Sequence, residues 1–387
     1  MRKTYKEKLR PTPAQERALE DVIWHCRTLY NTALEQRITA YQRRRVSVSR
    51  FQQEAELKEI RAAFPEDAAL HSHVLQDVLA RLEKTYQAFF RRLQHGEKAG
   101  FPRFKGRNRF HSFTFKEFGN GATVDNGFLV LSKIGRIRVQ WSRPIAGTPK
   151  TVTISKEADG WYVAISCVEV PTHPLPTRGQ ETGIDLGLES FATLSDGSRI
   201  LTPGCYRKAE AYLAKCQRRV ARRKKGSARR KKGSARRKKA VVLLAKAHQT
   251  VRRQRQDFHH KTALSLVRAY DTIYHEDLRV ANMVRNHHLA KSIADAGWGA
   301  FLAILTFKAA SAGKRVQAVD PAYTSQACSG CGVVVSKGLS VRWHACPECG
   351  TSLHRDHNAA KTIQWRGQRL RGLPALAEAL NREPVGL

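Results

Sequence analysis

The chain has 387 residues, enough for two or three domains, because single hydrophobic cores stop growing at about 250–300 residues. Its 69 Lys and Arg against 33 Asp and Glu give a net charge of +36, which is typical of proteins with a polyanionic partner. The N-terminal MRKTYKEKLRP lacks the apolar core of a signal peptide, and no apolar run reaches the ~18 residues of a membrane span. The composition therefore favours a nucleic acid over a membrane as the partner.

The first third of the chain predicts one strand followed by helices. Residues 4–10 alternate as a strand, and residues 12–15 (TPAQ) supply an N-cap, a first-turn proline and a capping-box glutamine for a helix. Helical spacing of apolar residues predicts further helices over about 51–63 and 72–93. Short β-like runs follow up to residue 170, namely FLVLS, IRVQW, TVTIS and WYVAISCVEV.

Aromatic and cationic residues interleave from Gly100 to Lys116. Two interpretations stand side by side: the rings stack on bases while the cations hold phosphates, or a β-sheet edge turns the aromatics inward and the cations outward. On the first interpretation, the candidate nucleic-acid contacts are Phe101, Arg103, Phe104 and Lys105.

The remainder of the chain has an α/β pattern. A proline-containing linker over 171–180 precedes a strand with the sequence GIDLG and a second strand that ends at Asp196-Gly197. A basic helical region is predicted over 205–256, then an amphipathic helix over 257–270 that leads into the strand DTIYHEDL. A helix over about 298–312 precedes the strand RVQAVD.

A seven-residue repeat, RRKKGSA, lies inside the basic region at 222–228 and 229–235, followed by RRKKA at 236–240. The three RRKK copies carry 12 of the 36 net charges, so the rest of the chain is still basic at +24. Lys and Arg runs supply charge without base-edge geometry, which predicts phosphate contacts that read no sequence. The candidate contacts here are Arg222, Arg223, Lys224, Lys225, Arg229 and Arg230.

Four of the eight cysteines form two C-x-x-C pairs, Cys328 with Cys331 and Cys346 with Cys349, 14 residues apart. Without a secretory signal, this clustering favours a metal over disulfides and an intracellular, reducing location. Two such knuckles complete a tetrahedral site for one Zn²⁺. Because four thiolates leave no open coordination position, the predicted zinc is structural.

Three carboxylates occupy positions typical of a catalytic metal site. Asp185 and Glu276 each end an apolar strand, and Asp356 precedes the final helix, whose N-terminal dipole favours an anion. Three convergent carboxylates can hold two Mg²⁺ ions for phosphodiester hydrolysis. Asp277 is the alternative to Glu276 if the strand register differs, and His354 and His357 flank Asp356 without being assigned as ligands.

The chain resembles the TnpB family of insertion-sequence proteins, relatives of the type V CRISPR effector nucleases. The likeness covers nearly the whole length. It is carried by YQAFF at 86–90, GFPRFK at 100–105, GIDLG, the RRKKGSA arm, DAGWG at 295–299, DPAYTSQACSGC at 320–331, CPECG and RDHNAA.

The resemblance implies a multidomain α+β fold. A wedge-type β-barrel is expected over 1–10 and 95–172 around a helical recognition domain at 11–94, with a linker at 173–180. A RuvC-like, RNase H-type nuclease domain is expected over 181–325 and 352–366, with the basic arm at 205–256. A zinc ribbon at 326–351 interrupts the nuclease domain, and a loose tail follows at 367–387.

The resemblance further implies an RNA-guided DNA endonuclease encoded by a transposon, with Asp185, Glu276 and Asp356 as the catalytic acids. The expected partners are a guide RNA from the transposon end and a double-stranded DNA target beside a short transposon-adjacent motif. We expect a cytoplasmic, nucleoid-associated monomer. Two other functions are open, a nuclease-inactive RNA-guided DNA-binding protein and a transposase that joins strands. The intact acid triad disfavours the first of these two.

Overall fold

A computed structural model describes residues 1–223, 234–338 and 340–371. The chain divides into two compact units, the first from Met1 to Pro171 and the second from Thr172 onward. The boundary adjoins the segment predicted as a linker at 173–180. That segment is fixed to the second unit: the His173 amide donates to the Ser311 carbonyl, and Asp271 accepts from two amides at 178–179.

Unit 1 is built on a seven-stranded sheet in which every neighbouring pair is antiparallel. Its order is β2-β6-β7-β1-β5-β4-β3. The strands are β1 Lys3–Arg10, β2 Ser112–Phe115, β3 Ala122–Asp125, β4 Phe128–Leu131, β5 Gly135–Gln140, β6 Thr148–Glu157 and β7 Gly160–Val168. The sequence patterns had not separated β2 and β3, which are four residues each and therefore too short for a clear alternation.

Helices cover part of this sheet and share one core with it. They are α1 Pro13–Arg44, α2 Arg50–Ala63, α3 Pro65–Ala68 and α4 Ser72–Gln94. The predicted capping box at the start of α1 is present: Gln15 N donates to Thr12 Oγ1 at 3.3 Å, and Thr12 N donates to Gln15 Oε1 at 3.0 Å. The short α3 was not predicted, because a single turn has no periodicity to detect.

Unit 2 contains a mixed five-stranded sheet in the order β10-β9-β8-β11-β12. Its strands are β8 Glu181–Asp185, β9 Ser190–Leu194, β10 Arg199–Leu201, β11 Thr272–Glu276 and β12 Arg315–Val319. β8, β9 and β10 form an antiparallel meander, while β11 runs parallel to both β8 and β12. A two-stranded ribbon of β13 Trp343–Ala345 and β14 Ser352–His354 lies between β12 and the last helix.

The helices of unit 2 are α5 Cys205–Ala221, α6 Ala235–Ala269, α7 Val280–Met283, α8 Ala290–Ala296, α9 Trp298–Ser311 and α10 Arg355–Arg371. The predicted boundary at residue 256 falls inside α6, which continues for 35 residues because no Pro or Gly interrupts 235–269. α5 and α6 pack together as a hairpin, with Arg237 donating to the carbonyl of Val220 at 2.6 Å. The predicted tail begins within α10, and residues 372–387 lie outside the described chain.

The segment Ala290–Ser311 is long and apolar enough to cross a membrane, with a mean hydropathy of 1.3 over its most apolar window. Gly297, at φ 67°, divides it into two helices, and Trp298, Phe301 and Leu305 are buried in the core of unit 2. Asp295 in the same segment is buried and accepts from the first amides of α5 at Tyr206 and Arg207. These contacts are those of a core element of a globular unit.

α10 packs very close to the sheet because a glycine stands at each of two contacts. Gly183 of β8 faces the backbone of α10, and Gly367 of α10 faces Tyr274 of β11. A Cβ on Gly183 of β8 would lie 2.1 Å from the Ala360 carbonyl oxygen and 2.6 Å from the Gln364 amide of α10. A Cβ on Gly367 of α10 would lie 1.9 Å from the ring of Tyr274 on β11. The backbone of α10 therefore occupies the space beside Gly183.

This packing predicts that Gly183→Ala destabilises unit 2. Backbone atoms cannot rotate away from the added methyl group, so the cost should reach or exceed the upper end of the ~1–3 kcal/mol typical of overpacking. Thermal or denaturant unfolding of the full chain measures the change. Gly299→Ala is the matched control, because its Cβ meets nothing within 4 Å and Ala is the better helix former. Equal stability of the two variants would contradict the proposed close packing.

Candidate functional site

Two strand ends of unit 2 place carboxylates side by side. Asp185 is the last residue of β8, and Glu276 is the last residue of β11. The two strands are parallel and His275 pairs with Ile184, so one further step brings Glu276 level with Asp185. The Glu276 carboxylate accepts a hydrogen bond from the hydroxyl of Thr324, which fixes its orientation.

Asp356 reaches the same edge of the sheet from α10. It lies in the first turn of the helix, whose backbone is seated on β8 at Gly183. Its amide donates to Nδ1 of His354 at 3.2 Å. The position therefore depends on the α10–β8 packing, and the helix N-terminus adds a partial positive charge that favours the carboxylate.

The charges of Glu276 and Asp356 act on the carboxyl of Asp185. Burial first, and then the charges of Glu276 and Asp356, raise the pKa of the Asp185 carboxyl well above its usual range. Burial also raises the pKa of Glu276, against the opposing effects of the Thr324 hydroxyl and the charge of Arg366. Without a bound cation, the site therefore disfavours a fully ionised triad.

Among the described residues, two groups of three or more potential ligands have all their ligand atoms within 4.8 Å of one another. One consists of the four predicted cysteines. The other contains Asp356 together with Glu189 and His354. Glu189 lies in the turn between β8 and β9, where a lone exposed glutamate gives no signal in the sequence. Asp185, Glu276 and Asp356 do not form such a group, so their three carboxylates do not all lie within 4.8 Å of one another.

The geometry of the four cysteines fits a zinc ion. Sγ of Cys328 lies 3.6 Å from that of Cys349, and Sγ of Cys331 lies 3.6 Å from that of Cys346. With a Zn–S bond of about 2.3 Å, the sulfurs of a tetrahedral site are about 3.8 Å apart. A hydrogen bond from the Thr351 hydroxyl lowers the pKa of Cys349 to about 6, so this sulfur is readily deprotonated for metal binding.

The cysteine cluster is joined to the helix that carries Asp356. Asn358 is fully buried: its side-chain oxygen accepts from the Ser329 amide at 2.9 Å, and its side-chain nitrogen donates to the Ala327 carbonyl at 2.7 Å. Thr362 also donates to the Ala327 carbonyl. The first knuckle and the start of α10 therefore form one hydrogen-bonded assembly.

In the aromatic–cationic stretch of unit 1, some rings are buried, as the sheet-edge interpretation predicts, and others are exposed, as the base-stacking interpretation predicts. Phe113 and Phe115 on the edge strand β2 are buried in the core, as the sheet-edge interpretation requires. Phe101 and Phe104 are about half exposed, and Arg103 between them is exposed. Lys105 differs, because its backbone bonds Asn31 and its ammonium lies 5.3 Å from the Tyr30 ring centroid.

Phe101 belongs to a cluster of rings on the surface of unit 1. Its ring centroid lies 5.9 Å from that of Tyr86 and 5.3 Å from that of Phe89, and Phe90 stacks on Tyr86. In the basic arm, Arg222 is exposed and Arg223 is half-buried. The other predicted contacts of the arm, Lys224, Lys225, Arg229 and Arg230, lie outside the described residues.

Solved structures similar to this chain include one described as "Structure of the mini-RNA-guided endonuclease CRISPR-Cas_phi3". It is 11% identical, covers 95% of this chain and 92% of its own, and has a TM-score of 0.46. A "Cas12f1-sgRNA-target DNA complex" is 14% identical, covers 94% and 99%, and has a TM-score of 0.35. TM-scores below 0.5 do not establish a shared fold.

Three family models match parts of the chain. They are described as "Probable transposase" over residues 165–287, "Cas12f1-like, TNB domain" over 298–363 and "Helix-turn-helix domain" over 1–45. The second match spans the four cysteines, Asp356 and the first half of α10. In this chain the third matched segment forms a strand and a single 32-residue helix, β1 and α1.

Relatives match over most of the chain. A Streptomyces pristinaespiralis protein named "Putative RNA-guided DNA endonuclease" is 36% identical over 95% of this chain and 90% of its own length. An Escherichia coli K12 protein, "Putative RNA-guided DNA endonuclease InsQ", is 29% identical over 81% of this chain and 80% of its own. Identity of this extent, together with the transposase match, confirms the resemblance predicted from the motifs: the chain belongs to the TnpB family.

Proposed function

We propose that this protein is a transposon-encoded, RNA-guided endonuclease that cuts double-stranded DNA beside a short transposon-adjacent motif. The observation that carries the proposal is the convergence of Asp185, Glu276 and Asp356 at one sheet edge, where burial and the charges of Glu276 and Asp356 raise the pKa of Asp185. The names of the two relatives support the choice of substrate.

The strand order of unit 2 supports an RNase H-type, RuvC-like nuclease domain. An antiparallel meander continues into two parallel strands, and the acids lie at the ends of the first and fourth strands and on the final helix. We further propose that the seven-stranded sheet of unit 1 is the wedge-type barrel and that α1 to α4 are its recognition insert.

In this proposal Asp185, Glu276 and Asp356 hold two Mg²⁺ ions. Such ions activate the attacking water and stabilise the leaving oxygen of a phosphodiester. The protein contributes position: Thr324 holds the Glu276 carboxylate by a hydrogen bond, and the seat of α10 on β8 holds Asp356. The four cysteines would hold one Zn²⁺, and Asn358 ties the first cysteine knuckle to the start of α10 by its hydrogen bonds to Ser329 and Ala327.

The binding surfaces follow from charge and exposed rings. Phe101 and Phe104 present half-exposed aromatic faces beside Arg103, which suits stacking on bases next to phosphate contacts. The three RRKK copies at 222–225, 229–232 and 236–239 supply sequence-independent phosphate contacts. We propose a guide RNA from the transposon end and a DNA target as the ligands, bound by a monomer in the cytoplasm, associated with the nucleoid.

Cleavage is expected to depend on each carboxylate. Asp185→Asn, Glu276→Gln and Asp356→Asn should each slow guided cleavage of a plasmid target by on the order of 10²–10³ or more, as loss of preorganised charge stabilisation does. Guide and target binding should stay close to that of the parent. Asp277→Asn is the matched control, because Asp277 is exposed next to Glu276 and successive strand residues point to opposite faces.

Two results would overturn parts of this assignment. A dead Asp277→Asn with an active Glu276→Gln would mean that the wrong strand residue was chosen. Normal cutting by all three triad variants would refute the assignment of this site as the nuclease active site. Gel analysis of the products also tests the transposase that the family description favours, because strand transfer leaves joined DNA and hydrolysis leaves free ends.

A stability test probes the same site without any activity. The raised pKa of Asp185 means that its ionisation opposes folding, so metal-free stability should fall as the pH rises above ~4, the usual carboxyl pKa. In buffer without Mg²⁺ or other added divalent ions, and without a chelator that would remove the zinc, Asp185→Asn should therefore melt higher than the parent, with a gap that is small at pH 4 and grows toward pH 8. For a unit of this size the gain is about 2–4 °C per kcal/mol. Identical melting at every pH would contradict the electrostatic strain.

Zinc content is the test of the cysteine site. Elemental analysis of the purified protein should give one zinc per chain. Cys346→Ser should lose the metal and much of its solubility, because the ribbon has little core of its own. Glu348→Gln changes an exposed residue of the same knuckle and should keep both. Soluble, zinc-free and active parent protein would rule the site out.

A further inference from the structure

A second group of ligand-type side chains adjoins the triad, formed by Glu189, His354 and Asp356. We propose that these three residues bind one of the two divalent ions, so that this ion has a mixed oxygen–nitrogen shell and the protein prefers Mn²⁺ to Mg²⁺. The inference rests on the proposed nuclease, since it assigns ligands to one of that enzyme's ions. It adds two residues, Glu189 and His354, to the three carboxylates.

Their separation suits one ion. Ligands at about 2.1–2.2 Å from an octahedral ion lie about 3.0 Å apart when adjacent and about 4.3 Å apart when opposite. All ligand atoms of the group lie within 4.8 Å of one another, and His354 Nδ1 is 3.9 Å from Asp356 Oδ2. Small side-chain rotations therefore close the shell without moving the backbone.

The donor atoms are in a suitable state to bind a cation. His354 Nδ1 accepts a hydrogen bond from the backbone amide of Asp356 at 3.2 Å. An ion bound at Nδ1 would replace this one long bond. Glu189 pairs with Arg342, whose Nε lies 3.6 Å from the carboxylate, and both side chains are about half exposed. A solvent-screened pair of this kind contributes little, and a divalent ion can displace it.

The three residues come from separate elements that the fold already fixes. Glu189 follows β8, which carries Asp185; His354 ends β14 of the ribbon; Asp356 begins α10. Arg355, between the last two, directs its guanidinium to the Ser325 hydroxyl and the Gly338 carbonyl. The ion would therefore link the sheet, the ribbon and the last helix at one point.

The nitrogen ligand determines the preference among metals. Mg²⁺ takes oxygen ligands and retains its waters, whereas imidazole suits first-row transition metals, and Mn²⁺ accepts both carboxylate and imidazole. A shell with one imidazole and two carboxylates therefore favours Mn²⁺. This preference is specific to the His354 site, because the Asp185–Glu276 side of the triad offers only oxygen.

Pulsed EPR of the Mn²⁺-loaded full-length protein tests the ligand directly. The parent should show ¹⁴N coupling from one imidazole, and His354→Gln should lose it while Mn²⁺ remains at the other position. Titration should give two Mn²⁺ ions per parent chain. In Glu189→Gln and in His354→Gln, one of the two ions should bind with a Kd at least about tenfold higher than in the parent. His357→Gln and Glu97→Gln are the matched controls. His357 bonds the Ser195 carbonyl and lies outside the group, and Glu97 is exposed in unit 1.

A carboxylate swap separates a ligand from a merely structural histidine. His354→Asp should keep two ions, lose the ¹⁴N coupling and bind Mg²⁺ relative to Mn²⁺ at least tenfold better than the parent. Absence of ¹⁴N coupling in the parent, or its persistence in His354→Gln, overturns the inference. If the protein cuts DNA but shows no ¹⁴N coupling, the nuclease proposal stands and the His354 site is refuted. If it shows the coupling but never cuts DNA, the His354 site stands and the nuclease proposal is refuted.

Discussion

The contact between α10 and β8 at Gly183 is the constraint on which the candidate active site depends. There a helix backbone approaches a strand so closely that no side chain fits between them. Because Asp356 lies one turn before the contact residue Ala360, and Asp185 lies two residues after Gly183, the same approach brings both carboxylates to one edge. Gly367 and Tyr274 make a second close contact between α10 and β11, the strand of Glu276. The packing that positions α10 against the sheet therefore also positions the three carboxylates.

The electrostatics of the site oppose this packing. Burial and two neighbouring negative charges raise the pKa of Asp185, so the hydrophobic and backbone contacts around it offset a repulsion that either a bound cation or protonation of Asp185 relieves. Active sites commonly contain such strain, which lowers stability in exchange for affinity toward the ligand that relieves it. At Glu276 burial also raises the pKa, and the Thr324 hydroxyl and the charge of Arg366 oppose that effect.

The segment that carries the four cysteines, residues 326–351, helps to position the N-terminus of α10. It separates β12 from α10, and its first knuckle is bonded to Asn358 and Thr362 on that helix. The N-terminus of α10, and with it Asp356, is therefore held from two sides, by the sheet and by the ribbon. A structural metal at the cysteines would act on the distant carboxylates by ordering this helix, with no part in the chemistry.

Much of the fold could be predicted from the sequence because the relevant signals are local. The capping box at Thr12, the helix periodicities up to Gln94 and the paired C-x-x-C turns each need only neighbouring residues. The three acids were placed at strand and helix ends for the same reason, and the family likeness rests on contiguous motifs. Short elements such as β2, β3 and α3 carry too few residues for a period and were found only in three dimensions.

The sequence by itself determined the ligand types, the basic charge and the order of the elements, because each is written in adjacent residues. Only the tertiary structure decided which side chains meet. It buried Phe113 and Phe115 while leaving Phe101 and Phe104 exposed. It assigned Gly183 to helix packing, and it brought the isolated Glu189 to His354 and Asp356. Such meetings join residues more than 160 positions apart, and their distances follow from the packing of whole elements, to which no local pattern is sensitive.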